Sequence, residues 1–444
     1  MRSPDAEENA MKLLVNLLTI VLIAIAIFVL VYVPWPVLLA LVALLVAWMA
    51  FTRTGRQAWS VTKVGVATIP QRLGSSSVVV VGIAGVVGVL VALLAMAEGF
   101  RTTLQQTGDT NTAIVLRGGA TAELSSGVGR DEVTLIEQLP GILKDAQGKA
   151  IASPELVVVA NIPKKGTNTD ANVEIRGVGE QAFALRPNVK ITSGRKFSPG
   201  LRELIVGKGA LAQFVGVSEG SKINLGNQEW TITGVFEAGD AHDSELWGDV
   251  ETVSATYRRQ GYQSVTARLT SPEALDELKA AIAADPRLKV DAKTTSDYYT
   301  AQSEDLTRVI KVMGIVIGVI MAIGAVFGAL NTMYAAVATR AREIATMRAI
   351  GFRGFPVVVS ILVETMLLAL AGGVLGAAVA WLIFNNYTVS TLGANFSQVV
   401  FAFKVSPALV WSGLKWALAI GFIGGLFPAL RAARLPVTTA LREL

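Results

Sequence analysis

NTMYAAVATRAREIATMRAIGFRGFPVVVSILVETMLLALAGGVLGAAVAWLIF, residues 331–384, sets a short basic segment between two long apolar runs. The run before it, Val309 to Tyr334, and the run after it, Val357 to Phe384, are each long enough to cross ~30 Å of hydrocarbon at ~1.5 Å per helical residue. Between them stand Arg340, Arg342, Arg348 and Arg353. Arginines in so short a loop resist translocation and favour the anionic inner leaflet, which places the loop in the cytoplasm. Ile344, Met347, Ile350 and Gly351 follow Arg342 and Glu343 at helical spacing. That pattern predicts an amphipathic turn or two between the spans, able to press on a soluble partner.

Composition points the same way. Of 444 residues, 52% are hydrophobic and only 16% charged, with a mean hydropathy of +0.52, values rare in a soluble chain of this length. The formal net charge of +5 gathers beside the apolar runs and not in long basic tracts, which argues for positive-inside topology and against nucleic acid. With no cysteine there is no disulfide, thiolate chemistry or cysteine-ligated metal, and with His242 as the single histidine there is no multi-histidine site within one chain.

Six apolar segments follow one another along the chain. Met11 to Val33 reads as an uncleaved anchor, since it is long and lacks a small-residue cleavage site. The PWP at Pro34 to Pro36 breaks it before a shorter run, Val37 to Phe51, so residues 1–52 read as a two-span hairpin. Residues 53–74 form a basic connector in which Trp59, Val61, Val64, Ile69 and Leu73 punctuate Arg53, Arg56, Lys63 and Arg72, the pattern of an interfacial helix or else of an ordinary solvated linker. A first core span occupies 75–99, a second 307–334, a third 357–384 and a fourth 407–430. The basic hairpin is 335–356, a short outer loop 385–406 and a cytoplasmic tail 431–444, carrying Arg431, Arg434 and Arg442. Alternation then puts all three basic clusters on one side.

Residues 100–306 are polar and hold no span-length apolar run, so they form a domain outside the cytoplasm with strand and helix signals mixed. SKINLGNQEWTITGVF reads as a β-hairpin turning at Gly226 and Asn227, and ELVVVA, VEIRGV and ELIVG as further strands. SPEALDELKAAIAADP has a serine start, helical apolar spacing and a proline stop.

Arg340, Arg342, Glu343, Ile344, Arg348, Ala349, Ile350 and Gly351 together resemble the R-x-R-E-I-x-x-x-R-A-I-G stretch of the FtsX-like permease family. The likeness continues through Glu364 and LLALAGGVLGAAVA, and returns in GGLFPALRAARLPVTTALREL at the carboxyl end. The order of ITSGRKFSP, ELIVGKGALAQFVGV and WTITGVFEAGDAHDSELWGD is similar to the MacB-type periplasmic core domain. The fold implied is a membrane α-helical bundle, a four-span core plus the N-terminal two-span hairpin, with an α+β extracytoplasmic domain and, at residues 53–74, a helix along the cytoplasmic membrane face. The resemblance implies that Arg340, Arg342, Glu343, Ile344, Met347, Arg348, Ala349, Ile350 and Gly351 dock a separate ABC ATPase subunit. ATP and magnesium then belong to that partner, and this chain binds no cofactor. It also implies a dimer with a second permease copy or homologous permease meeting through the first core span, where Gly82, Gly85 and Gly88 reduce bulk. A periplasmic adaptor and membrane lipids complete the expected partners, and the inner membrane of a Gram-negative cell is the expected setting.

No motif in the chain supports catalysis. GVSEGSKI from Gly216 lacks the spacing and the hydroxyl residue after lysine of a phosphate loop. His242, Asp243 and Glu245 form no set with an activated nucleophile, so the histidine reads as solvated or structural. Glu364 lies within a span, where an ionisable group faces protein or water. It reads as either a relay from the basic hairpin or a structural hydrogen bond, with Asn331 or an arginine such as Arg348 as candidate partner. Glycine pairs Gly314/Gly318, Gly324/Gly328, Gly372/Gly376 and Gly421/Gly425 allow close helix approach, chiefly within one subunit. The function these readings converge on is a permease that couples ATP hydrolysis by its partner to movements of the outer domain, exporting or extracting substrate from the periplasm or outer leaflet. The alternatives are an FtsX-like transmitter that activates a periplasmic cell-wall hydrolase, and a membrane scaffold without ATP coupling.

Overall fold

The computed structural model describes residues 33–393 and 395–436. The first predicted apolar run lies outside the described residues apart from Val33, as does the tail beyond residue 436 with Arg442. The chain forms two units, a helical one built from segments up to Ala95, Lys311–Asn385 and Val405 onward, and a sheet unit of Met96–Ile310 with Asn386–Lys404.

The helical unit draws on α1 (Trp35–Phe51), α2 (Arg53–Ala67), α3 (Leu73–Thr107), α4 (Thr295–Thr339), α5 (Ala341–Ala349), α6 (Gly354–Phe384) and α7 (Pro407–Arg434). Among the described residues, four helices are long and apolar enough to cross a membrane: α3 with the 3-10 turn Ile69–Arg72 before it, α4, α6 and α7. The second predicted run is a 17-residue helix, α1, that turns by 102° into α2. Thr52 makes that corner. Its backbone is extended, and its hydroxyl accepts from Gly55 N at 2.9 Å and donates to the Trp48 carbonyl at 2.9 Å. A Cβ on Gly55 would sit 2.0 Å from the Trp48 oxygen, so only glycine fits there.

α2 turns a small-residue face inward, with Gly55, Ala58, Val61, Thr62 and Gly65 buried, and packs on α6. Of the apolar stripe predicted for the connector only Val61 is buried, while Trp59 is 48% exposed with the Lys63 ammonium 5.5 Å above its ring. The helix is amphipathic, but what it buries is the small face, because close backbone approach to α6 leaves no room for larger side chains. Glycines set the other contacts too. A Cβ on Gly376 would meet the Ala84 carbonyl of α3 at 2.3 Å, and one on Gly421 would meet the Ala369 methyl of α6 at 2.4 Å. Gly314 and Gly318 stand against Leu93 and Leu90, whereas Gly324 and Gly328 have no neighbour within 4 Å of that position.

The sheet unit holds β1 (Thr112–Arg117), β2 (Ala152–Pro163), β3 (Asp170–Val178), β4 (Lys190–Gly194), β5 (Glu203–Gly207), β6 (Lys222–Leu225), β7 (Gln228–Glu237), β8 (Glu245–Asp249), β9 (Ser264–Arg268) and β10 (Val290–Thr294). Their order is β10-β1-β9-β2-β3-β8-β5-β7-β4, with β6 paired to β7. β2 joins the two halves: Ala152 to Glu155 pair with β9, and Leu156 to Pro163 pair with β3. Gly226 and Asn227 both take positive φ, 57° and 60°, as a two-residue hairpin turn between β6 and β7 requires. The predicted helix in SPEALDELKAAIAADP runs Ala274–Ala284 after Glu273, so the serine does not cap it.

The outer loop predicted at 385–406 folds into a second antiparallel pair, β11 (Thr388–Leu392) and β12 (Gln398–Ala402), which belongs to the sheet unit. Val400 N donates to Ser244 Oγ at 2.8 Å, Lys164 Nζ reaches Ser390 Oγ at 3.0 Å, and Phe401 meets Phe100 edge-on at 5.4 Å. His242 is 1% exposed and its Nδ1 lies 2.9 Å from Asp240 Oδ1, so it is a buried structural residue.

Candidate functional site

α5 is a nine-residue helix held from one side. Ile344 and Ala345 are buried, and Ile344 packs with Met333, Val337, Val357 and Ala432 while Met347 covers the edge of that cluster. Arg348 does not face solvent freely: its Nη1 donates to the Leu435 carbonyl at 2.5 Å, satisfying backbone at the end of α7. Gly351, at φ +106°, ends the helix, and Phe352 N bonds back to the Met347 carbonyl at 3.1 Å. What remains exposed is Arg342, Glu343, Thr346, Ala349 and Ile350, followed by Arg353 and Phe355. Ile350 is 72% exposed and Phe355 61%.

Glu364, on α6, is 2% exposed at its side chain and is held by two guanidiniums. Arg72 Nη2 donates to its Oε1 at 2.5 Å, and Arg340 Nη1 to its Oε2 at 3.1 Å. Both partners are arginines, as one of the two expectations had it, but neither is Arg348. Asn331 is exposed on α4 and Arg348 is engaged at Leu435. A Cβ on Gly65 would approach Glu364 Oε2 to 2.8 Å, so the glycine of α2 leaves the space the carboxylate fills. One carboxylate thus gathers the connector, the junction of α4 with α5, and α6. Arg340, read from the sequence as a docking residue, spends its charge here and lies 3.7 Å from Glu343 by its Nε.

The glycines proposed for a dimer seam divide. Gly82 and Gly85 are exposed on α3 with nothing within 4 Å of a Cβ, whereas Gly88 faces Gly376 of α6 and serves packing within the chain.

The family model for the MacB-like periplasmic core domain matches residues 76–285, and that for the FtsX-like permease C-terminal region matches residues 315–437. The chain belongs to the MacB-type, FtsX-like permease family. Among its relatives, the macrolide export ATP-binding/permease protein MacB of Chromobacterium violaceum is 26% identical over 395 residues, covering 82% of this chain and 57% of the relative. A Yersinia pestis protein of the same description, MacB 2, is 25% identical over 400 residues, covering 79% and 57%. The chain therefore spans little more than half the length of these relatives. A crystal structure of the periplasmic region of MacB from Actinobacillus actinomycetemcomitans aligns at a TM-score of 0.33 and 16% identity, covering 43% of this chain and 91% of that one. This permease-family chain is a multi-pass membrane protein whose sheet unit is its periplasmic domain.

The periplasmic domain of this permease contains a second constellation that sequence reasoning missed. Arg176 on β3 is 2% exposed and all of its nitrogens bond to carboxylates. Nε and Nη2 reach Glu245 at 2.8 and 3.0 Å, Nη1 and Nη2 reach Glu123 at 2.9 and 3.1 Å, Nη1 reaches Glu155 at 3.1 Å, and Nη2 reaches Glu174 at 2.8 Å. Arg186 holds Glu155 with two bonds of 2.6 and 2.9 Å. Glu174 and Glu245 lie opposite each other in the parallel β3–β8 ladder, a like-charge pair that only the guanidinium two residues along makes tolerable. Burial opposes ionisation of Glu155, but Arg186 and Arg176 outweigh it and keep that carboxyl below its ordinary range. Burial, with Glu245 beside it, pushes Glu174 up to about 7 despite Arg176. The sequence signal was two charges, Glu174 and Arg176, on one face of an otherwise apolar strand, VEIRGV.

Proposed function

We propose that this permease is the membrane-spanning subunit of an exporter in which a separate ABC ATPase, carrying ATP and magnesium, works on α5. α5 lies on the cytoplasmic face of the inner membrane. Closure of the ATPase pushes the exposed face of α5, Glu364 passes that push to α2 and α6, and the spans move the periplasmic domain. Cargo is taken from the periplasm or the outer leaflet. A second permease copy or homologue pairs through the open face of α3 at Gly82 and Gly85, and a periplasmic adaptor is a further partner. The relatives' description as ATP-binding/permease proteins supports a link to ATP.

The observation that carries this reading is Ile350, a large apolar side chain 72% exposed at the end of a helix whose other face is buried and whose terminus is stapled. An exposed apolar side chain on a segment that also exposes Arg342, Glu343 and Arg353 has the make-up of a protein interface. Affinity capture of the tagged chain from its native membrane in mild detergent should bring down an ATPase. Ile350→Glu should cut that recovery at least tenfold while leaving the thermal midpoint of the purified chain unchanged. Arg348→Glu is the poorer probe, since it also breaks the bond to Leu435. Equal recovery with Ile350→Glu, or no ATPase with the unaltered chain after crosslinking, overturns the proposal and leaves a membrane scaffold.

A further inference from the structure

We propose that the β11–β12 hairpin is a proton-governed latch on the periplasmic domain, docked over Glu174 while that carboxyl holds a proton and released when the proton leaves. The inference goes beyond ATPase coupling and does not need it. At the tip of the hairpin, Ser397 Oγ and Asn395 Nδ2 reach Glu174 Oε2 at 3.0 and 3.2 Å, while Asn172 Nδ2 donates to the Phe396 carbonyl at 2.7 Å. Gly393, Asn395, Ser397, Gln398 and Val399 form one wall of a cavity of about 50 Å³ whose other walls include Glu123, Glu174, Arg176 and Glu245. The hairpin therefore covers the carboxylate cluster. Lifting it admits water to Glu174.

The charges facing Glu174 come from every side of that cavity. β3 supplies Arg176, β8 supplies Glu245, and the turn at Glu123–Ser125 supplies Glu123. Tyr298 and Tyr299 of α4 close the floor, Glu155 of β2 shares Arg176, and His242 acts on Glu155 and Glu245. The hairpin brings no charge of its own, only Asn395 and Ser397. With Glu123, Glu155, Glu174 and Glu245 all ionised, four carboxylates surround the two guanidiniums of Arg176 and Arg186. A proton on Glu174 relieves part of that excess, and Glu174 is the member pushed up, to about 7, by burial and by Glu245. Asn395 Oδ1 is buried without a donor. A half-turn of that amide offers it to a protonated Glu174 Oε2, so the docked hairpin has an acceptor ready for the proton.

The sign follows from linkage. Docking buries Glu174, which raises its affinity for a proton, and brings up the Asn395 amide as a donor, which lowers it; burial is the larger of the two, so the docked form holds a proton that the undocked, hydrated form releases. Between the two values, raising pH by one unit multiplies the undocked-to-docked ratio by about ten. The hairpin is continuous in sequence with α6 on one side and α7 on the other.

The native chain has no cysteine, so spin labels can be placed on Leu392→Cys and Gln228→Cys in the full chain in lipid nanodiscs and their distance read by pulsed electron resonance from pH 5.5 to 8.5. The expected result is one narrow distance at pH 5.5 and a second, broad component whose ratio to the first grows about tenfold per pH unit up to about pH 7 and levels off above it. Glu174→Gln should stay narrow throughout. Asn395→Ala with Ser397→Ala should show more of the broad component at every pH, and this pair serves if Glu174→Gln does not fold. A single unchanging distance in the unaltered labelled chain across the range overturns the latch. So does the same transition in Glu174→Gln, or a profile untouched by the double variant.

Discussion

Glu364 is one carboxylate shared by two arginines, and Arg176 is one arginine shared by four carboxylates. In both, a buried charge is kept by filling its bonding capacity, since an ion taken from water without partners costs several kcal/mol. The proportions set the consequences. Around Glu364 the excess is positive and each arginine side chain is 17% exposed, so water shares the load. Around Arg176 the excess is negative and every side chain in direct contact is at most 8% exposed. Replacing Arg176 by methionine keeps much of the volume and leaves four carboxylates facing one another. The full chain should lose about 3–5 kcal/mol of stability, read as a lower thermal midpoint or loss of folded protein, and acidification should recover part of it as carboxylates take up protons. A loss that does not respond to pH would point to packing in place of charge. In the sequence, Glu364 was legible as a buried carboxylate because it interrupts an apolar run, but Arg72 was not legible as its partner because 292 positions separate them. The cluster of Arg176 was hidden for a related reason. Its members are scattered from Glu123 to Glu245 over separate strands and a turn, and sequence order carries no trace of which strands pair.

Elements repeat the lesson in backbone terms. Long apolar helices and the Gly226–Asn227 turn could be read from local pattern, since length and positive φ are local properties. The β11–β12 pair could not, because TVSTL and QVVFA are short and take their meaning from the domain surface they cover. The 102° corner at Thr52 was likewise invisible as an angle, though the glycine that permits it stands in plain sight at Gly55. Glycine spacing alone also did not tell which face is used. Gly376 and Gly82 differ only in what stands opposite: the Ala84 carbonyl at 2.3 Å for one, nothing within 4 Å for the other. Gly376→Ala must therefore force α3 and α6 apart and should destabilise the purified chain by about 1–3 kcal/mol. Gly82→Leu should leave the thermal midpoint in place and lower self-association, read as a shift toward monomer in detergent by light scattering. If Gly82→Leu leaves the oligomer intact, the open face of α3 is not the seam, and the exposed stretch of α4 around Gly324 and Asn331 is the next surface to test.

For the whole molecule, the distribution of charge supports the proposed orientation, and that orientation can be tested. Arg340, Arg342, Arg348 and Arg353 lie between α4 and α6, Arg53, Arg56, Lys63 and Arg72 lie between α1 and α3, and Arg431 and Arg434 end α7. The periplasmic domain is inserted between α3 and α4 and takes in the β11–β12 hairpin between α6 and α7. In the proposed topology each of α3, α4, α6 and α7 crosses the membrane once and the three basic groups share the cytoplasmic side, in keeping with the resistance of arginine to translocation. α1 is the element whose crossing is open to direct test, for it has 17 residues where about 20 span the hydrocarbon, and it ends in the sharp turn into α2. Because the chain lacks cysteine, single cysteines report cleanly on sidedness. In intact spheroplasts a membrane-impermeant maleimide should label Gln228→Cys and Leu392→Cys, and should reach Thr346→Cys only after the membrane is opened. Trp35→Cys, at the start of α1, should label from outside if α1 crosses. If Trp35→Cys instead needs the membrane opened while the other three behave as expected, α1 dips into the inner leaflet and returns, and the corner at Thr52 is the bend of a re-entrant segment.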